Sequence, residues 1–176
     1  IPDGTGQDES MDLLAAAVPV RVVEWYQKLI RMVGWKLSAM APASSAISNL
    51  IMSDREKQDV RRSNCCVMDC GRQGVRLYFY QKGLLFAKRG LEFCDTEERL
   101  LFELEKIWDY YQTCYPGYIP ERVYVTGGKR NPLLETAITE QLEAECCDWT
   151  KLLDNSQEPV RGLISAEAAG ITFWKG

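Results

Sequence analysis

The sequence contains no histidine. That absence removes the usual general base, so neither a Ser-His-Asp nor a Cys-His mechanism can be assembled from this chain. It also restricts any zinc site to cysteines or carboxylates. There is no G-x-x-x-x-G-K-[ST] segment, which excludes a phosphate-cradling P-loop. No apolar run reaches the roughly 20 residues that a membrane-spanning helix needs. The run from Leu13 to Val18 is far too short, and it lacks the charged flank and cleavage site of a signal peptide. Positive charge is not in excess either. With 21 Lys and Arg against 25 Asp and Glu the net charge is −4, which argues against a nucleic-acid partner.

Seven cysteines are an odd number, so a complete disulfide framework is impossible. Cys65-Cys66 and Cys146-Cys147 are adjacent pairs without the spacing of a metal knuckle. They read as reduced, small apolar residues of a core, and neither a disulfide nor a bound metal is expected. What remains is ordinary: 176 residues, 46% hydrophobic and 26% charged, enough for one domain with a sizeable core or for two small lobes.

Residues 1–10 are polar, begin without methionine and read as a flexible lead-in. Residues 11–17 read as a strand. Pro19 suits the first turn of a helix. In that helix Val22, Val23, Tyr26, Leu29, Ile30 and Val33 recur at helical spacing, which predicts one buried stripe. Gly34 ends it, 35–40 reads as a second strand, and Pro42 opens a short helix to about Ile51. This β-α-β-α order favours parallel pairing. Residues 53–64 are charged and almost free of apolar side chains, and they are the best candidate for a boundary between lobes. Arg55, Arg61 and Arg62 could form a contact site there, or the segment is a solvated loop in which Asp54, Glu56 and Asp59 offset them.

The most informative stretch is 65–93. An apolar run, Cys65-Cys66-Val67-Met68, ends on Asp69-Cys70-Gly71. Two β-rich runs follow, 75–80 and 84–87, joined at Lys82-Gly83. This predicts three consecutive strands. Asp95 to Glu98 then resembles a capping box ahead of a helix over 97–115, with Leu100, Leu104, Ile107, Trp108 and Tyr111 on its apolar face. A strand over 121–126 ends in Gly127-Gly128, and Asn131 and Pro132 open a helix over 132–144. Residues 146–152 read as an edge strand, and 160–173 as a closing helix. The order β-β-β-α-β-α-β-α fits an α/β, RNase-H-like lobe with a mixed sheet.

A carboxylate at the end of a buried strand, followed by glycine, can hold a phosphate or its metal, because backbone N–H groups approach the anion and the acid orients a magnesium-bound water. The bland reading of Asp69-Cys70-Gly71 is a turn. The D-x-G hairpin, the helix after it and the strand ending in Gly-Gly together resemble the second half of the actin-like ATPase superfamily, and within it the PilM-type proteins of type IV pilus assembly. The strand-helix-strand before the hairpin and the segment 166–173 extend that resemblance over nearly the whole chain.

The resemblance implies an actin-like, RNase-H-like lobe over 65–176, a partial first lobe over 1–52 and a charged linker over 53–64, the whole a fragment of a longer protein. It implies phosphate contacts at Asp69 and Gly71, with Asp69 meeting a metal only through a magnesium nucleotide. It implies nucleoside contacts at Gly127 and Gly128, with Lys129 beside them. Where the family carries Ser or Thr after the hairpin acid, this chain has Arg72, Gln73, Gly74 and Val75, so the hydroxyl donor is gone. Only one D-x-G hairpin is visible, whereas a phosphoryl-transfer site needs groups from both lobes to hold the phosphates and exclude water.

The expectation is therefore a cytoplasmic scaffold or adaptor at the inner face of the membrane. It would join other pilus or secretion assembly proteins, with no nucleic acid partner and no direct membrane insertion. Mg-ATP belongs to the full-length parent if anywhere, and this chain is expected to bind no cofactor and to catalyse nothing. The alternatives are a nucleotide-binding ATPase or a sugar- or acetate-kinase-like enzyme of the same superfamily, and an unrelated α/β domain with a chance D-x-G.

Overall fold

The structure is a computed structural model, and it describes residues 17–37, 40–53, 63–92, 96–115, 117–128 and 132–152. The chain divides into two units, Ile1–Met40 and Ala41–Gly176.

In the first unit, helix α1 spans Val20–Met32. Gly34, at φ +76°, closes it, with the Gly34 amide donating to Arg31 O and the Trp35 amide to Ile30 O. These two bonds make a Schellman turn, which glycine permits because it has no Cβ to clash in the left-handed region. Two expectations need correction here. The stripe expected to be buried is not: α1 has no buried residue, and Tyr26, Leu29 and Val33 are exposed. Residues 35–37 form no strand, since the Schellman turn leads into irregular backbone with Trp35 70% exposed. Both expectations needed a neighbouring layer or strand, and periodicity does not supply one.

The second unit is a five-stranded mixed sheet between helices. Its elements are α2 (Ala43–Ser53), β1 (Asn64–Cys70), β2 (Gly74–Gln81), β3 (Leu84–Glu92), α3 (Glu97–Cys114), β4 (Arg122–Thr126), α4 (Pro132–Glu140), β5 (Glu145–Asp148) and a 3₁₀ turn, Trp149–Leu152. The strand order is β3-β2-β1-β4-β5. The first three strands are antiparallel, and β4 and β5 add in parallel. The hairpin from β2 to β3 turns on Lys82 and Gly83, at φ +51° and +79°, the left-handed pair of a type I′ turn.

Side chains of a strand point alternately to its two faces, and β1 buries both. Cys65 and Val67 join Ile47, Leu50 and Ile51 of α2, while Cys66 and Met68 join Leu104 and Trp108 of α3 and Ile138 of α4. A strand covered on both faces reads as a continuous apolar run, as Cys65 to Met68 does. Helix α2, which the sequence grouped with the segment before the charged stretch, packs on this sheet.

Three boundaries differ from expectation. Thr96, not Asp95, caps α3, its hydroxyl oxygen accepting from the Arg99 amide at 3.4 Å. With the cap at Thr96 the third helical position is Arg99, not Glu98, so the box with Glu98 does not form. Helix α4 stops at Glu140. The last strand covers only Glu145–Asp148 before the chain tightens into the 3₁₀ turn. The segments 11–16, 54–62 and 160–173, for which a strand, a linker and a closing helix were expected, lie outside the described residues.

Candidate functional site at the carboxyl end of β1

Asp69 is the penultimate residue of β1, and it is buried, 3% exposed. The sheet register sets its neighbours. Across the antiparallel pair stands Arg76 of β2, and across the parallel pair stands Thr126 of β4. The Arg76 guanidinium Nη2 lies 2.5 Å from Asp69 Oδ2. Oδ2 is fully covered, and the guanidinium meets it as an ion pair.

The other carboxylate oxygen faces the Gly-Gly turn. Gly127 has φ +95°, and a Cβ there would lie 2.4 Å from Cys70 O and 2.9 Å from Asp69 Oδ1. Only glycine admits this approach. The turn after β4 is therefore seated against the end of β1, and the two motifs read separately in the sequence meet at Asp69. Gly128 faces open space, with nothing within 4 Å of a Cβ position. Lys129 lies outside the described residues.

Gly71 opens the turn from β1 to β2, and its amide donates to Gly74 O at 3.0 Å. That N–H is spent within the turn instead of being offered to an anion. Gly74 lies so close to β3 that a Cβ would fall 2.0 Å from Leu91 O. Beside the turn is an open depression of about 910 Å³, lined by the 71–76 turn, with Arg72, Gln73 and Arg76, and by Gly90, Leu91 and Glu92 of β3.

These residues do not fit a magnesium nucleotide. Oδ2 already carries a cation, Oδ1 is against Gly127, the Gly71 amide is committed, and the turn has no hydroxyl. Among the described residues no group of three or more Cys, Asp or Glu side chains converges as a metal site. Arg76 is the residue that sequence reasoning missed. Its signal was present: Asp69 and Arg76 flank the 70–75 turn symmetrically, as cross-strand partners of opposite charge do.

Burial sets the chemistry of the thiols behind the site. It pushes Cys65 up to about 12, the Arg122 charge opposing, and holds Cys66 well above the ordinary thiol value. Both are protonated at neutral pH and poor nucleophiles.

The mixed sheet with its hairpin and Gly-Gly turn has the actin-like fold that the resemblance implied, and solved structures share that fold. The chain is similar to the PilM-PilN type IV pilus biogenesis complex, with a TM-score of 0.64, 14% identity and coverage of 88% of this chain and 58% of that one. It is also similar to the ethanolamine utilization protein EutJ from Carboxydothermus hydrogenoformans, with a TM-score of 0.56, 14% identity and coverage of 91% and 63%. The chain thus spans about six-tenths of the length of each. No protein-family model and no curated protein sequence matches it. Among the described residues no helix is long and apolar enough to cross a membrane.

Proposed function

We propose that this chain is part of an actin-like scaffold or adaptor that works by binding other proteins, in type IV pilus or related secretion assembly. It would act in the cytoplasm at the inner face of the membrane, with no catalysis of its own. The observation that supports this reading is the Arg76 guanidinium on Asp69, because it occupies the carboxylate that would orient a magnesium ion in a nucleotide site. Each charge-assisted hydrogen bond lost to phosphate removes roughly 1.5–3 kcal/mol, and losing several lowers affinity on the order of 10³-fold or more. A scaffold tolerates that loss, since its contacts depend on the folded surface. The similarity to the PilM-PilN complex supports the assembly context.

The second reading is a nucleotide-binding enzyme of the same fold. It is favoured by the meeting of Asp69 with Gly127 and by the open face of Gly128, with Gly71, Gly127, Gly128 and Lys129 as its nucleotide contacts. Calorimetry with magnesium-ATP separates the two. The scaffold reading expects no binding in the micromolar range. Micromolar binding that disappears in Asp69→Ala would overturn it in favour of the enzyme.

A further inference from the structure

The hairpin carries an acid in the position where a phosphate-binding site would recruit a divalent cation, yet a cation is already there. Arg76 is held within β2, directly across the ladder from Asp69, so its reach to Oδ2 is set by register and not by a flexible loop. The acid is buried while the arginine side chain is about half exposed, so the guanidinium closes Asp69 from the solvent side. On the other side Gly127 packs so near that a Cβ on it would lie 2.9 Å from Oδ1. A magnesium ion keeps several waters and dehydrates reluctantly. It would have to displace a fixed positive charge and find space in a crowded corner.

We infer that Arg76 is a built-in counter-cation that takes the place of the divalent metal at Asp69, so that this hairpin excludes divalent cations. Asp69 then serves as the anchor of a β1–β2–Gly127 corner. Arg72, Gln73 and the outer part of Arg76 line a depression that no metal-linked phosphate enters. The inference shares its hairpin with the scaffold reading, but it concerns the cation alone and is tested without nucleotide.

The test is manganese binding, followed by water-proton relaxation, in the native chain, Asp69→Asn, Arg76→Ser and the double variant. The native chain and Asp69→Asn should show the same weak, nonspecific binding. Removing a fixed positive charge from beside the carboxylate should let Arg76→Ser bind manganese at least about tenfold more tightly, and adding Asp69→Asn should cancel the gain. Manganese binding by the native chain that Asp69→Asn abolishes would overturn the inference, as would a folded Arg76→Ser that gains no site. Circular dichroism checks folding. If Arg76→Ser does not fold, Arg76→Gln keeps a polar side chain of similar length without the charge, and the same outcomes apply. A manganese-binding native chain sinks this inference and leaves the scaffold reading to the nucleotide titration.

Discussion

At the scale of single residues, adjacent glycines have opposite roles. Gly127 combines a left-handed backbone with a backbone oxygen 2.4 Å from any added Cβ, whereas Gly128 faces open space. Gly127→Ala should therefore cost about 2 kcal/mol or more, and Gly128→Ala should stay within about 0.5 kcal/mol of the parent. Urea denaturation of the two variants measures the difference. Equal midpoints would mean that the turn does not sit against Asp69.

The buried acids of the core give a second residue-scale expectation. Burial raises Cys65 to about 12 from 9.0, and Tyr124 to about 12 from 10.0. Above the ordinary thiol value the unfolded chain loses its proton while the native chain keeps it, so the unfolded state gains. The contribution is fully present below about pH 9 and is lost as pH rises toward 12. Cys65 lowers stability by about 1.4 kcal/mol per pH unit across that window, and Tyr124 does so only from about pH 10 upward. Denaturation midpoints at pH 8 and pH 10.5 should show the fall, and Cys65→Ala should flatten part of it.

At the scale of elements, the hairpins were legible because their signals are local. The run Cys65 to Met68, the pair Lys82-Gly83 and the Gly-Gly after Val125 each fix a strand end or a turn through backbone chemistry alone. The expected strand at 35–40 and the buried face of α1 were not legible, because pairing and burial require a partner layer that a periodic pattern cannot specify. Arg76 lay between these cases. Its type was visible, but its meeting with Asp69 depends on the register of β1 against β2. The β2–β3 turn also shows where the sequence departs from the ideal. Lys82 adopts φ +51°, a conformation that asparagine tolerates better. Lys82→Asn should stabilise the chain by about 0.5–1 kcal/mol, read as a higher midpoint in thermal or urea unfolding. An unchanged or lower midpoint would contradict the type I′ assignment.

At the scale of the whole molecule, the two buried clusters belong to the second unit: among the described residues their members run from Ile47 to Leu152, with the sheet covered on one face by α2 and on the other by α3 and α4. Residues 41–176 alone should therefore unfold cooperatively, with a midpoint close to that of the full chain. A molten product, without a sharp transition, would show that the first 40 residues help complete the fold.

Gly127 lies against Cys70 and Asp69 with no slack, and Arg76 ties the same acid to β2. Three strands thus end in one interlocked corner, and none of them can shift there without carrying the others. A partner that docks on this end of the sheet meets a surface set before it arrives. Little ordering of the protein is left to accompany its binding, so changes in affinity there should appear mainly in how slowly the partner leaves.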